Sequence, residues 1–333
     1  MQKTQIMKHK EIKRVCQEDS AYSLLIYFLI SSVEEIKSTF YFMSDGVPKE
    51  IRDKMPGLSH YFEKRKFMTS NKYAVLFRLF WLRATATLRW PFLRTADLYG
   101  KDHAFFSSGL VGDRQLIVIE DGTINYNPPK NTLKKRWITS LLFGPMRYSN
   151  RFGDSPNCKE LILTGLAETE YTNKLSPTIV SLKKLWDESS LEKKNLILSI
   201  YNITKEDIEM LSSRPNILFT QPLYEDNMMS EEEKIEIYRK LIADIGEENV
   251  VIKSHPREKT DYNCYFHQAY WFNKKVPFQL LNLLGIKFKK SLTVCSTAAL
   301  GFDYPIEIIF LGSEINPNIV KGYGVVRLSD YKK

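Results

Sequence analysis

The chain has 333 residues, 43% hydrophobic and 26% charged, with a formal net charge of +9. That is globular composition, and the length predicts two domains of roughly 100–200 residues each. There is no run of about 20 apolar residues to make a spanning helix, and the scattered Cys16, Cys158, Cys264 and Cys295 have no zinc-type spacing and read as reduced thiols.

The N-terminus, Met1 to Arg14, is polar and basic without the apolar segment of a signal peptide, which leads us to expect a cytoplasmic protein. Short Val/Ile/Phe-rich runs then alternate with helical patterns, the mark of βαβ units and parallel sheets. The predicted strands of the first half are Arg14–Cys16, Thr39–Met43, His103–Ser107, Leu116–Ile119 and Glu160–Thr164. Those of the second half are Asn216–Thr220, Val250–Lys253, Leu292–Cys295, Ile306–Leu311 and Gly324–Leu328. Predicted helices are Tyr22–Ile36, Lys72–Arg89, Val180–Glu188, Ser230–Ile245, Pro277–Leu284 and Thr297–Phe302. Ser230 is a cap candidate, followed by the dipole-favoured acids Glu231 to Glu233. Thr172–Asn195, with Pro177 and a charged run, reads as a strandless crossover. The expectation is therefore an α/β protein of two Rossmann-like domains, 1–175 and 176–333, with a ligand cleft between them.

Lys and Arg concentrate in two places. One is Arg83, Arg89 and Arg94 around Trp90 and Phe92; the other is Lys130 to Arg151. An anionic substrate, an anionic membrane surface, nucleic acid or a plain solvated face would each account for them. No helix-turn-helix, RNP or zinc-finger pattern supports nucleic acid.

Three short motifs fall where predicted strands end, the place where open α/β sheets bind ligands. Glu120-Asp121-Gly122 puts two carboxylates on a turn, able to take a proton or bind a sugar hydroxyl, or simply making an Asp-Gly turn. Lys253-Ser254-His255-Pro256-Arg257-Glu258 gathers cationic groups at 253, 255 and 257, suited to a phosphate; its plain alternative is a histidine packed under a strand-end turn. Cys295-Ser296-Thr297-Ala298-Ala299-Leu300 places two hydroxyls at a helix start, an anion site or an ordinary N-cap. Together they describe a nucleotide-sugar transferase with a phosphate grip in one half and a base in the other. No GxxxxGK[ST], GxGxxG or DxD-type motif is present, which argues against ATP hydrolysis, a dinucleotide or a metal-held donor.

These residues resemble the bacterial sialyltransferases, and most closely glycosyltransferase family 52. EDGT at Glu120–Thr123, HPRE at His255–Glu258, CSTAAL at Cys295–Leu300, Phe219-Thr220-Gln221-Pro222-Leu223 and VPFQLL at Val276–Leu281 carry the resemblance. It implies a GT-B architecture, inverting transfer of sialic acid from CMP-sialic acid onto a galactose-type acceptor of capsule or lipooligosaccharide, and no cofactor or metal. By the same resemblance His255 assists departure of CMP, and Ser296 and Thr297 hold its phosphate. Lys253, Pro256 and Arg257 lie on the donor side, and Gln279 stands where the family carries a ribose-binding Glu. The base is Asp226 or, alternatively, Asp121. Glu120, Gly122, Asp102 and His103 are acceptor-side candidates, though Asp97–Ser108 also reads as plain strand. The expected partners are the donor, a galactose-ended oligosaccharide that can be lipid-linked, an anionic inner membrane face and a second copy, with no nucleic acid. Another CMP-sugar transferase (polysialyl- or Kdo-) and a non-catalytic basic binding protein are the alternatives.

Overall fold

The computed structural model describes residues 12–122, 125–126, 152–166 and 176–331. It divides into two compact units, Met1–Asn202 and Ile203–Lys333.

The first unit runs β1 (Arg14–Glu18), α1 (Ala21–Ile30), α2 (Val33–Ser38), β2 (Phe40–Ser44), β3 (Ser59–Phe62), α3 (Lys72–Arg89), β4 (Asp97–Gly100), α4 (Ser107–Val111), β5 (Leu116–Ile119), β6 (Cys158–Leu163), β7 (Thr178–Ile179), α5 (Leu182–Asp187) and α6 (Leu191–Ile200). Its strands form one parallel sheet in the order β3-β2-β1-β4-β5-β6-β7. Central strands such as Leu-Ile-Val-Ile of β5 are apolar throughout because helices cover both faces.

The second unit runs α7 (Lys205–Ser212), β8 (Asn216–Phe219), α8 (Glu231–Ile242), β9 (Val250–Lys253), β10 (Tyr270–Phe272), α9 (Phe278–Leu283), β11 (Lys290–Thr293), β12 (Glu307–Phe310) and α10 (Pro317–Tyr323). Its sheet is also parallel, ordered β10-β9-β8-β11-β12. Ser230 caps α8 in a capping box with Glu233, as its sequence indicates. Leu218, Ile235, Tyr238, Ile252 and Leu292 lie together in this unit's core.

Several expectations are corrected. The helix predicted at Tyr22–Ile36 is two helices, because Ser32 and Glu35 form a capping box that restarts the chain. His103–Ser107 is no strand: β4 ends at Gly100, whose φ of +125° and approach to Gln17 exclude a Cβ, and His103 stands on the loop beyond. The aromatic run behind the strand prediction packs laterally instead, Phe106 stacking on Phe62. Gly324–Leu328 joins no sheet; Gly324, at φ +78°, ends α10. Thr172–Asn195 is not strandless, since β7 lies in its described part. The unit boundary falls after Asn202 instead of 175. The intervening helices belong to the first unit: Tyr201 donates to the Ala21 carbonyl and Lys193 to that of Leu29. The basic stretch Lys130–Arg151 and Thr123 lie outside the described residues. Among those described, no helix is long and apolar enough to cross a membrane.

Candidate active site

In each unit the strand order reverses once, between β1 and β4 in the first and between β8 and β11 in the second. Chain segments diverge at such a point and leave room beyond the carboxyl ends of the strands. Both units place their polar clusters there.

In the first unit Lys101, the residue directly after Gly100 and its close approach to β1, is buried. Its ammonium contacts Asp19 Oδ1 at 2.6 Å and Asp121 Oδ2 at 2.5 Å. The same Asp121 oxygen lies 3.0 Å from His103 Nε2, while Asp121 Oδ1 accepts from Ser20 Oγ at 3.0 Å. His103 Nδ1 lies 3.2 Å from Asp102, whose buried carboxylate accepts the backbone N–H groups of Phe152 and Gly153 at 2.8 and 2.7 Å. Burial would raise the Asp121 pKa, but the His103 bond and the Lys101 charge hold it at about 2. Burial would lower His103, but hydrogen bonds to Asp102 and Asp121 raise it. The result is an ionised carboxylate bonded to an imidazole that favours its charged form.

Glu120 is not available to a substrate. It is fully buried and accepts from Tyr22 Oη, Tyr126 Oη, and the backbone N–H and hydroxyl of Thr164. Gly122 serves the turn: its φ is +83°, and Asn125 Oδ1 accepts the Asp121 N–H at 2.6 Å.

In the second unit β8, β9 and β11 deliver the other two motifs. Gln221, just past β8, accepts the Cys295 N–H at 2.9 Å, and Thr293 Oγ1 donates to the Phe219 carbonyl at 3.0 Å, so two of the motifs meet at the switch point. Beyond β9, His255 Nδ1 accepts the Arg257 N–H at 3.2 Å. The neutral ring therefore carries its proton on Nε2, which has no hydrogen-bond partner among the described residues. Burial, with Arg257 and Lys253 nearby, lowers the His255 pKa to about 4. Glu258 fixes this turn. Its buried carboxylate accepts from the His255 N–H, Thr220 Oγ1 and Tyr262 Oη, and faces Lys234, itself fully buried and also paired with Glu225.

The structure changes several assigned roles. The Lys253 ammonium donates to the Ser254 and Lys274 carbonyls, bracing the loop, and burial lowers its pKa to about 8. Both oxygens of Asp226 are held by the Arg257 guanidinium at 2.6 and 3.0 Å, and Tyr323 Oη donates to one of them. The Arg257 bond in particular lowers the Asp226 pKa. Thr297–Leu300 is a single 3-10 turn, too short for a useful dipole, and the Ser296 N–H is taken by Thr293 Oγ1. That leaves the Ser296 and Thr297 hydroxyls. Pro256 is exposed, and Gln279 is half-buried on α9 with its side-chain amide unbonded among the described residues. Lys101, Asp19 and Glu258 had no assigned role; an Asp-Ser pair directly after β1 was the available signal for Asp19. Among the described residues no three His, Cys, Asp or Glu side chains are grouped to hold a metal ion.

Two parallel-sheet units with polar clusters at their switch points are the elements of the GT-B fold, and known structures agree. The GT-B domain of a Photobacterium damselae sialyltransferase superposes with a TM-score of 0.54 over 89% of each chain at 14% identity. A 2,6-sialyltransferase of Photobacterium sp. JT-ISH-224, solved in a ternary complex with CMP and lactose, matches with TM-score 0.54 and 14% identity, over 89% of this chain and 71% of that one. An uncharacterized protein of Haemophilus influenzae is 31% identical over 308 residues, covering 90% of this chain and 94% of its own. Residues 58–317 match glycosyltransferase family 52. The chain belongs to that family and is a glycosyltransferase.

Proposed function

We propose that this glycosyltransferase moves sialic acid from CMP-sialic acid to a galactose-ended acceptor, with inversion and without a metal ion. The observation that carries the reading is His255: a neutral imidazole beyond the carboxyl end of β9, the neighbour of the switch-point strand β8, its Nε2–H unengaged among the described residues and its turn anchored by Glu258. A departing CMP phosphate gains negative charge, and a preorganised N–H donor stabilises it as it forms. The hydroxyls of Ser296 and Thr297 supply further donors. The CMP and lactose bound by the Photobacterium sp. enzyme support this choice of substrates.

Inversion needs a base for the acceptor hydroxyl. Asp121 is held in its ionised form by His103 and Lys101, and it is the carboxylate of this cluster proposed to take the acceptor hydroxyl's proton. Asp226 is instead chelated by Arg257, which it orients. Capsule repeat units and lipooligosaccharide are the acceptor classes proposed, with the protein working in the cytoplasm at the inner membrane face.

The test is CMP-sialic acid plus lactose with mass spectrometry of the product, repeated in EDTA and with CMP-Kdo. A sialyl-lactose product that persists in EDTA is expected. CMP release from CMP-Kdo alone overturns the donor assignment, and loss of activity in EDTA overturns metal independence.

A further inference from the structure

Phe152 has a backbone that phenylalanine rarely adopts. Its φ is +69°, in the left-handed region where the Cβ of a bulky residue crowds the main chain. Gly153 follows at φ +97°. Both residues donate their N–H groups to the buried Asp102 carboxylate, at 2.8 and 2.7 Å. Consecutive N–H groups in such a turn make a cradle for an anion, which accounts for the backbone. It does not account for the phenylalanine, since glycine would offer the same N–H without the crowding. What Phe152 adds is a ring.

That ring is buried, and its centroid lies 4.3 Å from that of the His103 imidazole, with the planes 37° apart. The imidazole is held at both nitrogens, Nδ1 at 3.2 Å from Asp102 Oδ1 and Nε2 at 3.0 Å from Asp121 Oδ2. Two contacts at the ring edge leave it free to rock about the line joining the nitrogens. Close packing on the ring face takes up that motion. The two rings are also registered on one atom, because Asp102 Oδ1 is both the acceptor of the Phe152 N–H and the neighbour of His103 Nδ1. Asp121 Oδ2 contacts Lys101 at 2.5 Å as well, so a rocking imidazole leaves the carboxylate to swing toward the lysine.

We infer that Phe152 is a positioning residue for the transfer: its ring sets the tilt of His103, which in turn aims the Asp121 carboxylate at the acceptor hydroxyl. This rests on the reading of Asp121 as the base. A displacement of about 1 Å at a reacting group can cost about 10² in rate, so the strained backbone is kept for a substantial return.

Turnover of CMP-sialic acid with lactose is measured for the full chain and for Phe152→Gly, Phe152→Leu, His103→Ala and the double variant Phe152→Gly/His103→Ala, with Asp121→Asn alongside. Phe152→Gly should lower kcat about tenfold or more, while KM for the donor stays within about twofold. Phe152→Leu keeps bulk on the imidazole face and should recover most of that loss. In the His103→Ala background Phe152→Gly should cost nothing further, because its effect runs through the imidazole. One readout needs no turnover: freed of the crowded φ, Phe152→Gly should melt above Phe152→Ala. Should the glycine variant misfold, Phe152→Ala carries the cycle. Normal kcat in the folded variant, losses that multiply in the double variant, or a glycine variant that melts below the alanine one overturns the inference and leaves Asp121 as the base. Normal turnover by Asp121→Asn overturns the base reading, and this inference with it.

Discussion

The two switch-point clusters are built from similar residue types and behave in opposite ways. In the first unit Lys101 sits between Asp19 and Asp121, and His103 between Asp102 and Asp121, while burial pushes the unpaired Glu18 carboxyl up. At the paired groups the shifts favour charge, Asp121 down to about 2 and Lys101 and His103 up. In the second unit burial is not offset at the cations, so Lys253 falls to about 8 and His255 to about 4. The difference teaches that the first cluster holds Asp121 as an anion between two cations, whereas in the second the carboxylates of Glu225, Glu258 and Asp226 are taken up by Lys234 and Arg257, leaving the His255 ring and the Lys253 ammonium without an ion-pair partner among the described residues. A phosphate supplies one.

The largest effect that would break this contrast is loss of the base. Asp121→Asn should lower turnover by about 10²–10⁴, and Asp226→Asn, which only frees Arg257, by less than about tenfold and mainly through KM. The reverse ranking in CMP-release assays would move the base to the second unit. Next in size, Lys234→Met strands Glu225 and Glu258 as buried carboxylates. It should cost about 3–5 kcal/mol in urea unfolding, with the His255 turn loosened. His255→Ala should cut turnover by about 10²–10³ with an unchanged thermal midpoint; near-normal turnover removes the imidazole from the reaction.

The smallest effect is the most diagnostic. If a phosphate is the missing ion-pair partner, CMP should raise the His255 pKa from about 4 toward its ordinary value near 6.5. CMP affinity should then rise as pH falls from about 6.5 toward 4, and calorimetry in buffers of different ionisation enthalpy should detect proton uptake on binding. The sign for stability is opposite. A histidine depressed in the folded state contributes stability above the unfolded pKa, and this is lost as pH falls from about 6.5 toward 4. His255→Gln should flatten both dependences; no change in either would show that His255 does not meet the phosphate.

Much of the fold was legible locally. The bounds of β5, β9 and α3 and the cap of α8 follow from runs of a few residues, because burial on both faces, helical spacing and a capping box are short-range physics. The three motifs at strand ends were legible for the same reason. Short or laterally packed segments were not: β3, β7 and β10 carry only two to four residues, and the aromatics after Gly100 imitate a strand while packing against β3.

Sequence alone therefore determined that this chain is two parallel α/β halves with Asp121, His255 and Ser296 at strand ends, since a strand's periodicity and its last residue are properties of neighbours in the chain. Only the tertiary structure decided what those residues can do. The strand order brings Lys101 and Asp19 to Asp121, closes Glu120 beneath Tyr22 and Thr164, turns Lys253 onto carbonyls and gives Asp226 to Arg257. A carboxylate's basicity or a lysine's reach depends on charges and burial supplied by segments distant in sequence, and those are fixed by how the sheet is ordered.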